Sequence, residues 1–468
     1  MADSRIPRVG LLMLLPLVLG GCIVSRVPID KPALPLPTAL PAVSTQASPV
    51  ADRWWSVFGD ATLDTLMDEA LAHNADAALA AARVLESRSA LRQANSNRSP
   101  GVSIEGNAAR RFDSVLAGQS PDPGVARDSF SAQGVVTYEL DLWGRYARAS
   151  EAARARLLAS EFDRDAVRLS LTGDVARGYF SLIAARQQLD RARETLAARR
   201  ESVDLERIRY EAGESDEATL RRTEAEAAAS AISAQQFELE VAQRSHALGV
   251  LLGRSPQELA EGSFAVATLP AAPLLSPGLP SRVLERRPDV RSAEAALAAA
   301  AADIGVARTG LFPSINLTGT YGSASQELAD LFTDPAKQWS LAAGLLQPVF
   351  QAGRLRSAVE RANALQQQRQ AEYARTVQNA FRDVLDALKG QELLGGIRQT
   401  TADQAAALAR AAELSELRYA AGEIAYLDLL DVRRNLYQSQ IALVGAQRDA
   451  LANSVSLALA LGGGATAP

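Results

Sequence analysis

Cysteine and histidine are nearly absent from this chain of 468 residues. Its one cysteine, Cys22, excludes an intrachain disulfide. The two histidines, His73 and His246, are too few for a cysteine/histidine metal cluster within one chain, although carboxylate sites stay open. The sequence contains no glycine-rich phosphate loop and no Gly-x-Ser-x-Gly nucleophile elbow, so it does not indicate an enzyme.

Positively charged residues are also fewer than negatively charged ones: the chain has 49 lysine and arginine residues and 54 aspartate and glutamate residues. The net charge of −5 at pH 7 implies no basic face for nucleic acid. Alanine, arginine, glutamate and glutamine dominate instead, and this composition is typical of long helices.

The N-terminal segment has the organisation of a secretory signal. Arg5 and Arg8 precede the apolar stretch 11–19, which is too short to span a membrane. The following Leu19-Gly20-Gly21-Cys22 resembles the signal of bacterial lipoproteins, in which the cysteine carries a covalent lipid. We therefore expect residues 1–21 to be removed and Cys22 to be lipidated, with no other cofactor. The alternative is an ordinary signal followed by a chance cysteine.

Ile23 follows the cysteine where bacterial lipoproteins kept at the inner membrane have aspartate, which implies release to the outer membrane. Residues 22–52 are rich in proline, so they predict an extended tether between the lipid and the folded body. A second proline-rich stretch, 256–281, predicts a linker in the middle of the chain.

The two halves of the chain, 53–255 and 282–468, are repeats of each other. A shift of 209 places Gly144-Arg145 on Gly353-Arg354 and Arg209-Tyr210 on Arg418-Tyr419. Upstream the shift is 213, so that Pro100 falls on Pro313. The four-residue difference lies between Pro100 and Gly144 and predicts an exposed loop there.

Each half predicts two strands followed by long helices. Polar and apolar residues alternate in segments of about 102–112 and 128–140, and again in about 314–322 and 338–349. This period is typical of transmembrane β-strands. The alternative is a set of half-buried strands in a soluble sheet, which is commoner in general.

The predicted long helices, 144–212 and 353–421, lack proline and would each be roughly 100 Å long. Return helices are predicted over 215–252 and 424–461. A seven-residue apolar repeat marks the first long helix and favours coiled-coil packing. Its members are Val175, Leu182, Leu189, Leu196, Val203 and Tyr210.

Four strands cannot close a membrane barrel, and an open sheet edge in lipid leaves backbone groups unpaired at several kcal/mol each. The chain is therefore expected to oligomerise. Two copies would give eight strands and three would give twelve, and strand arithmetic alone does not choose between them.

Four motifs occur in order along the chain: WWSVFGD (54–60), ELDLWGR (139–145), RPDVR with FPSI (287–291 and 312–315), and RYAAG with YLDLLD (418–422 and 426–431). Together they resemble the outer-membrane efflux protein family of TolC/OprM-like channels and NodT-type lipoproteins, over nearly the whole mature chain.

The resemblance implies a mostly α-helical fold with a membrane β-barrel, in which a homotrimer forms a 12-strand barrel and a 12-helix periplasmic tunnel. It implies an exit duct that docks to a periplasmic adapter protein and an inner-membrane RND-type transporter. Alternatives are a duct for a major-facilitator or ABC-type exporter and, less favoured, a periplasmic coiled-coil adapter or structural lipoprotein. The expected cargo is drugs or other small molecules.

The resemblance also implies a gate at the periplasmic tip. Asp428 and Asp431 match positions whose carboxylates form rings in the bore, and Leu427 matches an apolar plug. Some relatives close the tip with a basic residue where this chain has Ile424, so we expect Arg222 to be the latch partner instead. The alternative for the two aspartates is a solvated first helical turn. Tyr419 is an equal candidate for a gate contact and for helix packing.

Overall fold

The computed structural model describes residues 26–29, 31–32, 53–117, 124–255, 268–276 and 286–463. The predicted signal segment 1–21 and the lipidation of Cys22 lie outside the described residues, as do most of the tether 22–52 and most of the linker 256–281.

Long helices and a small sheet make up the described chain. The first repeat contains the helices α1 (Ala61–His73), α2 (Ala75–Ser96), α3 (Arg145–Glu211) and α4 (Glu217–Leu251), with the strands β1 (Gly101–Phe112) and β2 (Ala126–Glu139) between α2 and α3. The second repeat contains α5 (Pro288–Thr309), β3 (Ser314–Ser325), β4 (Lys337–Leu346), α6 (Arg354–Ala420) and α7 (Tyr426–Ala460).

The predicted tandem repeat, with a hairpin and long helices in each half, is confirmed. Adding 213 to the bounds of α2 and β1 gives those of α5 and β3, and adding 209 to the bounds of α3 and α4 gives those of α6 and α7. The four-residue difference therefore falls between the two strands of each hairpin.

Both long helices, α3 and α6, contain 67 residues, which corresponds to about 100 Å each. Val175, Leu182, Leu189 and Val203 of the seven-residue seam in α3 are buried, whereas Tyr210 near the end of the helix is 40% exposed. Helix packing along this seam, rather than intrinsic propensity alone, supports so long a helix.

The chain divides into two compact units. The sheet unit comprises the described parts of Leu85–Ala159 and Glu294–Glu372 together with 26–29 and 31–32. The helical unit comprises those of Ser160–Ala293 and Tyr373–Pro468 together with 53–84. Every helix in the part of the chain described here is too polar or too short to cross a membrane.

The core of the helical unit forms around the short 3₁₀ helix Trp54–Phe58 and the helix α1. Asp60 caps α1, because its side chain accepts hydrogen bonds from the backbone N–H groups of Thr62 and Leu63. These elements pack on apolar side chains of four long helices, namely Val175 and Phe180 of α3, Leu248 of α4, Val384 of α6, and Leu451 and Val455 of α7.

The sheet unit contains an antiparallel sheet with the strand order β1-β2-β3-β4. The hairpins of the two repeats meet at the β2–β3 pair, where Glu139 lies opposite Asn316. Beyond this pair, the N–H of Leu140 donates to the carbonyl of Ile315 at 2.9 Å. The strands β1 and β4 form the two edges and are exposed along their whole length.

Strand β4 ends at Leu346 and not at the predicted residue 349. Its hairpin partner β3 begins at Ser314, which lies opposite Leu346, and Pro348 has no N–H to donate to a ladder. Strand β2 begins at Ala126, two residues before the predicted start, and β3 continues to Ser325, three residues beyond the predicted end.

Candidate functional site

The tip of the helical unit is formed by two equivalent helix turns. Gly213 and Gly422 have φ angles of +75° and +76°, in the left-handed region that favours glycine. After α3, the N–H of Gly213 donates to the carbonyl of Tyr210, and that of Glu214 donates to the carbonyl of Arg209. The same pair of bonds follows α6, so both long helices end in a Schellman motif.

The predicted gate aspartates lie just beyond the second turn, at the start of α7. Asp428 is in the first turn of this helix and is exposed. Asp431 is 68% exposed, and one of its carboxylate oxygens lies 3.6 Å from Nη1 of Arg434. Arg434 also binds Glu226 of α4 at 2.6 Å, so this short chain of charges connects α7 to α4. At such exposure each ion pair contributes little to stability.

Leu427 lies on the solvent side of α7, where its side chain is 42% exposed, whereas the following Leu429 and Leu430 are each 2% exposed. The buried pair attaches the start of α7 to the helical unit. Leu427, Asp428 and Asp431 are therefore left available to contact other molecules.

Tyr419 makes a contact between the ends of the two long helices. Its hydroxyl accepts a hydrogen bond of 2.7 Å from Nη1 of Arg209. The Arg209 guanidinium also lies 6.0 Å from the centre of the Tyr419 ring, and the ring of Tyr426 lies 5.6 Å away on α7. Tyr419 thus joins α3, α6 and α7 within one chain.

Arg222, the expected latch partner, is exposed on α4. In the described part of the chain it forms no ion pair with Asp428 or Asp431, and Arg434 pairs with Asp431 instead. A latch through Arg222 would therefore need a second copy of the chain, and it stays a prediction.

Arg199 of α3 is a tip residue that sequence reasoning missed. Its side chain is 5% exposed, and its Nη1 atom is buried without a hydrogen bond of normal geometry to any described residue. Burial lowers the pKa of Arg199, and the nearby Tyr426 and Glu226 offset part of this effect. The sequence carries no signal for Arg199, whereas Arg434 could have been found from its spacing of three residues from Asp431.

The sheet has two faces of different chemistry along most of its length. Cross-strand partners share a face, so Ile104, Tyr321 and Trp339 lie on one side with Val102, Val136, Leu317, Leu341 and Leu345. The other side carries Ser103, Glu105, Gln133, Thr137, Thr318, Thr320 and Ser340. Several apolar side chains are strongly exposed, for example Ile104 at 90% and Trp339 at 76%.

The junction between strand and helix is rigidly packed in the first repeat. The rings of Trp143 and Phe312 stack with their centres 5.0 Å apart, and the indole N–H of Trp143 donates to the carbonyl of Pro313 at 2.5 Å. Glu139 at the end of β2 accepts hydrogen bonds from Arg145 at 2.7 Å and from the Tyr146 hydroxyl at 2.8 Å. These contacts connect the end of β2 to the beginning of α3.

Comparison with known proteins gives one consistent result. The family model described as outer membrane efflux protein matches residues 66–254 and 279–463. The chain is 32% identical over 460 residues to the probable efflux pump outer membrane protein TtgC of Pseudomonas putida, covering 96% of this chain and 93% of TtgC. It is 34% identical over 464 residues to the pyoverdine export outer membrane protein OpmQ of Pseudomonas aeruginosa, covering 96% and 95%.

A similar solved structure is the open state of the MtrE outer membrane channel of Neisseria gonorrhoeae. It shares 32% sequence identity with this chain, and the TM-score is 0.79. The alignment covers 93% of this chain and 97% of MtrE, so the likeness extends to both the sheet and the long helices.

Proposed function

Because this chain belongs to the outer membrane efflux protein family and is an outer-membrane channel component of an efflux pump, we propose that three copies form a passive exit duct. Three copies of the four-stranded sheet would supply twelve strands for a closed barrel in the outer membrane. The helices α3, α4, α6 and α7 of the three copies would supply a tunnel of twelve helices in the periplasm.

The observation that supports this proposal is the open, two-faced sheet. Its apolar side, with Ile104 and Trp339 strongly exposed, fits contact with lipid, and its polar side fits a water-filled lumen. The outer edges of β1 and β4 face no further strand among the described residues. In lipid each unpaired backbone group costs several kcal/mol, so the edges need strands from other copies.

The duct would let small molecules pass and would not catalyse a reaction. Within the described ranges, no group of three carboxylate, histidine or cysteine side chains lies close enough to hold a metal ion. We propose that a periplasmic adapter and an inner-membrane transporter of the RND class deliver small molecules to the tunnel. The names of TtgC and OpmQ refer to an efflux pump and to pyoverdine export, which indicates that cargo varies among relatives of one architecture.

A covalent lipid on Cys22 would attach each copy to the outer membrane. This part of the proposal rests on the sequence Leu19-Gly20-Gly21-Cys22 and on the proline-rich tether that follows it. Cys22→Ser would remove the lipid, and we expect loss of labelling by radioactive palmitate.

Size and conductance test the duct. The protein purified from outer membranes in detergent should have the mass of a trimer, and heating before electrophoresis should convert it to monomer. In a planar bilayer it should give discrete ion-conducting steps. A monomer that is soluble without detergent, or a trimer that never conducts, would contradict the proposal.

The gate is proposed at Leu427, Asp428 and Asp431. Threefold symmetry would bring three copies of each carboxylate near the axis, where they would attract cations and repel one another. Arg222 of a neighbouring copy is the proposed latch partner, and Tyr419 would hold the end of α6 against α3 through Arg209.

Asp431→Ala tests the gate and should raise the conductance and lower the cation selectivity in planar bilayers. Asp204→Ala is the matched control, because Asp204 is similarly exposed and also lies beside an arginine three residues further on, at 3.8 Å. Unchanged conductance and selectivity for Asp431→Ala, or an equal effect of the control, would rule out the gating role.

A further inference from the structure

The repeat specifies how one copy of the chain meets the next. If copies surround a common axis, as in the trimer proposed above, first and second repeats alternate around the ring. The contact between the first and second repeats within one chain is then a template for the contact between the second repeat of one copy and the first repeat of the next. A residue pair of the first contact becomes a pair of the second in two steps. The number of its first-repeat residue is raised by the repeat shift of 209 or 213, and the number of its second-repeat residue is lowered by the shift for its own segment.

The two hairpins show that these shifts hold residue by residue. In the first, Gly101 lies opposite Thr137, and in the second, Ser314 lies opposite Leu346. Adding 213 to 101 gives 314, and adding 209 to 137 gives 346. The strand register is therefore conserved between the repeats, including the side of the sheet to which each residue points.

Applied to the β2–β3 pair, the shifts give the seam between copies. Glu139 lies opposite Asn316 within one chain. Adding 209 to 139 gives Pro348, and subtracting 213 from 316 gives Ser103. Pro348 of one copy therefore lies opposite Ser103 of the next copy. We infer that β4 of each copy pairs antiparallel with β1 of the next in this register, so that the numbers of opposite residues sum to 451.

The exposed side chains agree with this register. It places Trp339 opposite Phe112 of the next copy, an aromatic pair on the apolar side, and these side chains are 76% and 67% exposed in one chain. It also places Ala343 opposite Ala108. A slip by one residue would instead put apolar side chains of one copy beside polar side chains of the next.

The register also accounts for the early end of β4. The bond from Leu140 N–H to the Ile315 carbonyl becomes a bond from Val349 N–H to the Val102 carbonyl of the next copy. Val349 is 93% exposed in one chain, and the strand of the next copy would cover it. At the position of Pro348 a backbone N–H would point away from the next copy. The absence of an N–H in proline therefore removes no hydrogen bond between β4 and β1 of the next copy. The strand would thus extend to residue 349 on assembly.

Disulfide trapping distinguishes this register from its neighbours. Ala109 lies opposite Ala342, and Asn107 lies opposite Gly344. Both pairs are of the non-hydrogen-bonded kind, in which Cα atoms are about 4.5 Å apart and a disulfide can form. Exchanging the partners gives Asn107 with Ala342 and Ala109 with Gly344, which are diagonal pairs about 7–8 Å apart.

The same four cysteine substitutions can therefore be combined into two matched and two mismatched double variants. Assembled protein from outer membranes is oxidised and run on a non-reducing denaturing gel. We expect covalent trimers for Ala109→Cys with Ala342→Cys and for Asn107→Cys with Gly344→Cys, at least tenfold faster than for either mismatched pair. The four single variants, which keep Cys22, should give no covalent trimer.

The outcomes separate this inference from the duct itself. A trimeric mass with fastest cross-linking of a mismatched pair would overturn the register and leave the duct intact. A trimeric mass with no cross-link in any double variant would overturn the pairing of β4 with β1. A monomeric mass for the unsubstituted protein would overturn the duct together with the seam.

Discussion

Asp60 combines two roles at the base of the helical core, and its removal gives a prediction whose size can be derived from the structure. One oxygen of its carboxylate accepts hydrogen bonds from the N–H groups of Thr62 and Leu63 at 2.9 and 3.1 Å. The other oxygen accepts the hydroxyl of Tyr179 at 2.9 Å. Tyr179 is 2% exposed, so no water can replace the carboxylate freely.

For Asp60→Ala, loss of the helix cap costs about 1 kcal/mol. The buried Tyr179 hydroxyl loses its carboxylate acceptor, which costs about 1–3 kcal/mol more. The free energy of unfolding should therefore fall by about 2–4 kcal/mol. Tyr179→Phe removes the hydroxyl itself and should cost only about 1 kcal/mol. The double variant should lose less than the sum of the two, since the hydroxyl that needs the carboxylate acceptor is then absent.

Urea unfolding followed by tryptophan fluorescence measures these changes, because Trp54 and Trp55 are buried in the same core. Asp64→Ala is the matched control, since Asp64 lies in the first turn of α1, its side chain is 42% exposed, and one of its carboxylate oxygens lies 4.0 Å from Nη2 of Arg53. It should cost no more than about 0.5 kcal/mol. Equal effects of Asp60→Ala and Asp64→Ala, or full additivity in the double variant, would refute the reasoning.

Three further changes give defined outcomes. Burial and the neighbouring carboxylate raise the pKa of Tyr179. The stability that its protonated hydroxyl contributes is therefore present below pH about 10 and is lost at higher pH. In urea unfolding, Tyr179→Phe should lose less free energy of unfolding at alkaline pH than the unsubstituted protein. Gly422→Ala places a side chain at φ +76° and should lower the free energy of unfolding by about 1–2 kcal/mol, and with it the melting temperature, whereas Gly445→Ala in open space within α7 should raise both. Gly322→Ala would bring Cβ to 2.5 Å from the Gln133 backbone and should reduce the yield of heat-resistant trimer, whereas Gly319→Ala, which meets only a side chain at 3.8 Å, should not.

The parts of the fold that depend on period and repetition could be predicted from the sequence. Alternation placed all four strands, and the shift between Arg209-Tyr210 and Arg418-Tyr419 identified two equivalent helix ends. Within one chain β4 ends three residues before the predicted end, because its neighbour β3 begins opposite Leu346, and alternation along one strand does not contain that information.

The place of the two aspartates in the fold could be predicted from the sequence, whereas the contacts around them could not. Family motifs located Asp428 and Asp431 at the start of α7, where the structure has them. The partner of Tyr419, however, is set by the axial register of two helices that are more than two hundred residues apart in the sequence, and Arg199 is buried although arginine is usually exposed. Such facts depend on packing and could not be derived from local patterns.

The open sheet and the closed helical core make the stability of the folded chain and the stability of the assembly two separate quantities. A chain can complete the core around Phe180 and Leu451 alone, but the outer sides of its edge strands gain hydrogen bonds only when copies meet. Damage to the core should therefore lower the amount of folded polypeptide, whereas damage to the edges should leave folded but unassembled subunits in the periplasm. A loss-of-function variant of this protein can be assigned to one class or the other by asking whether single subunits accumulate.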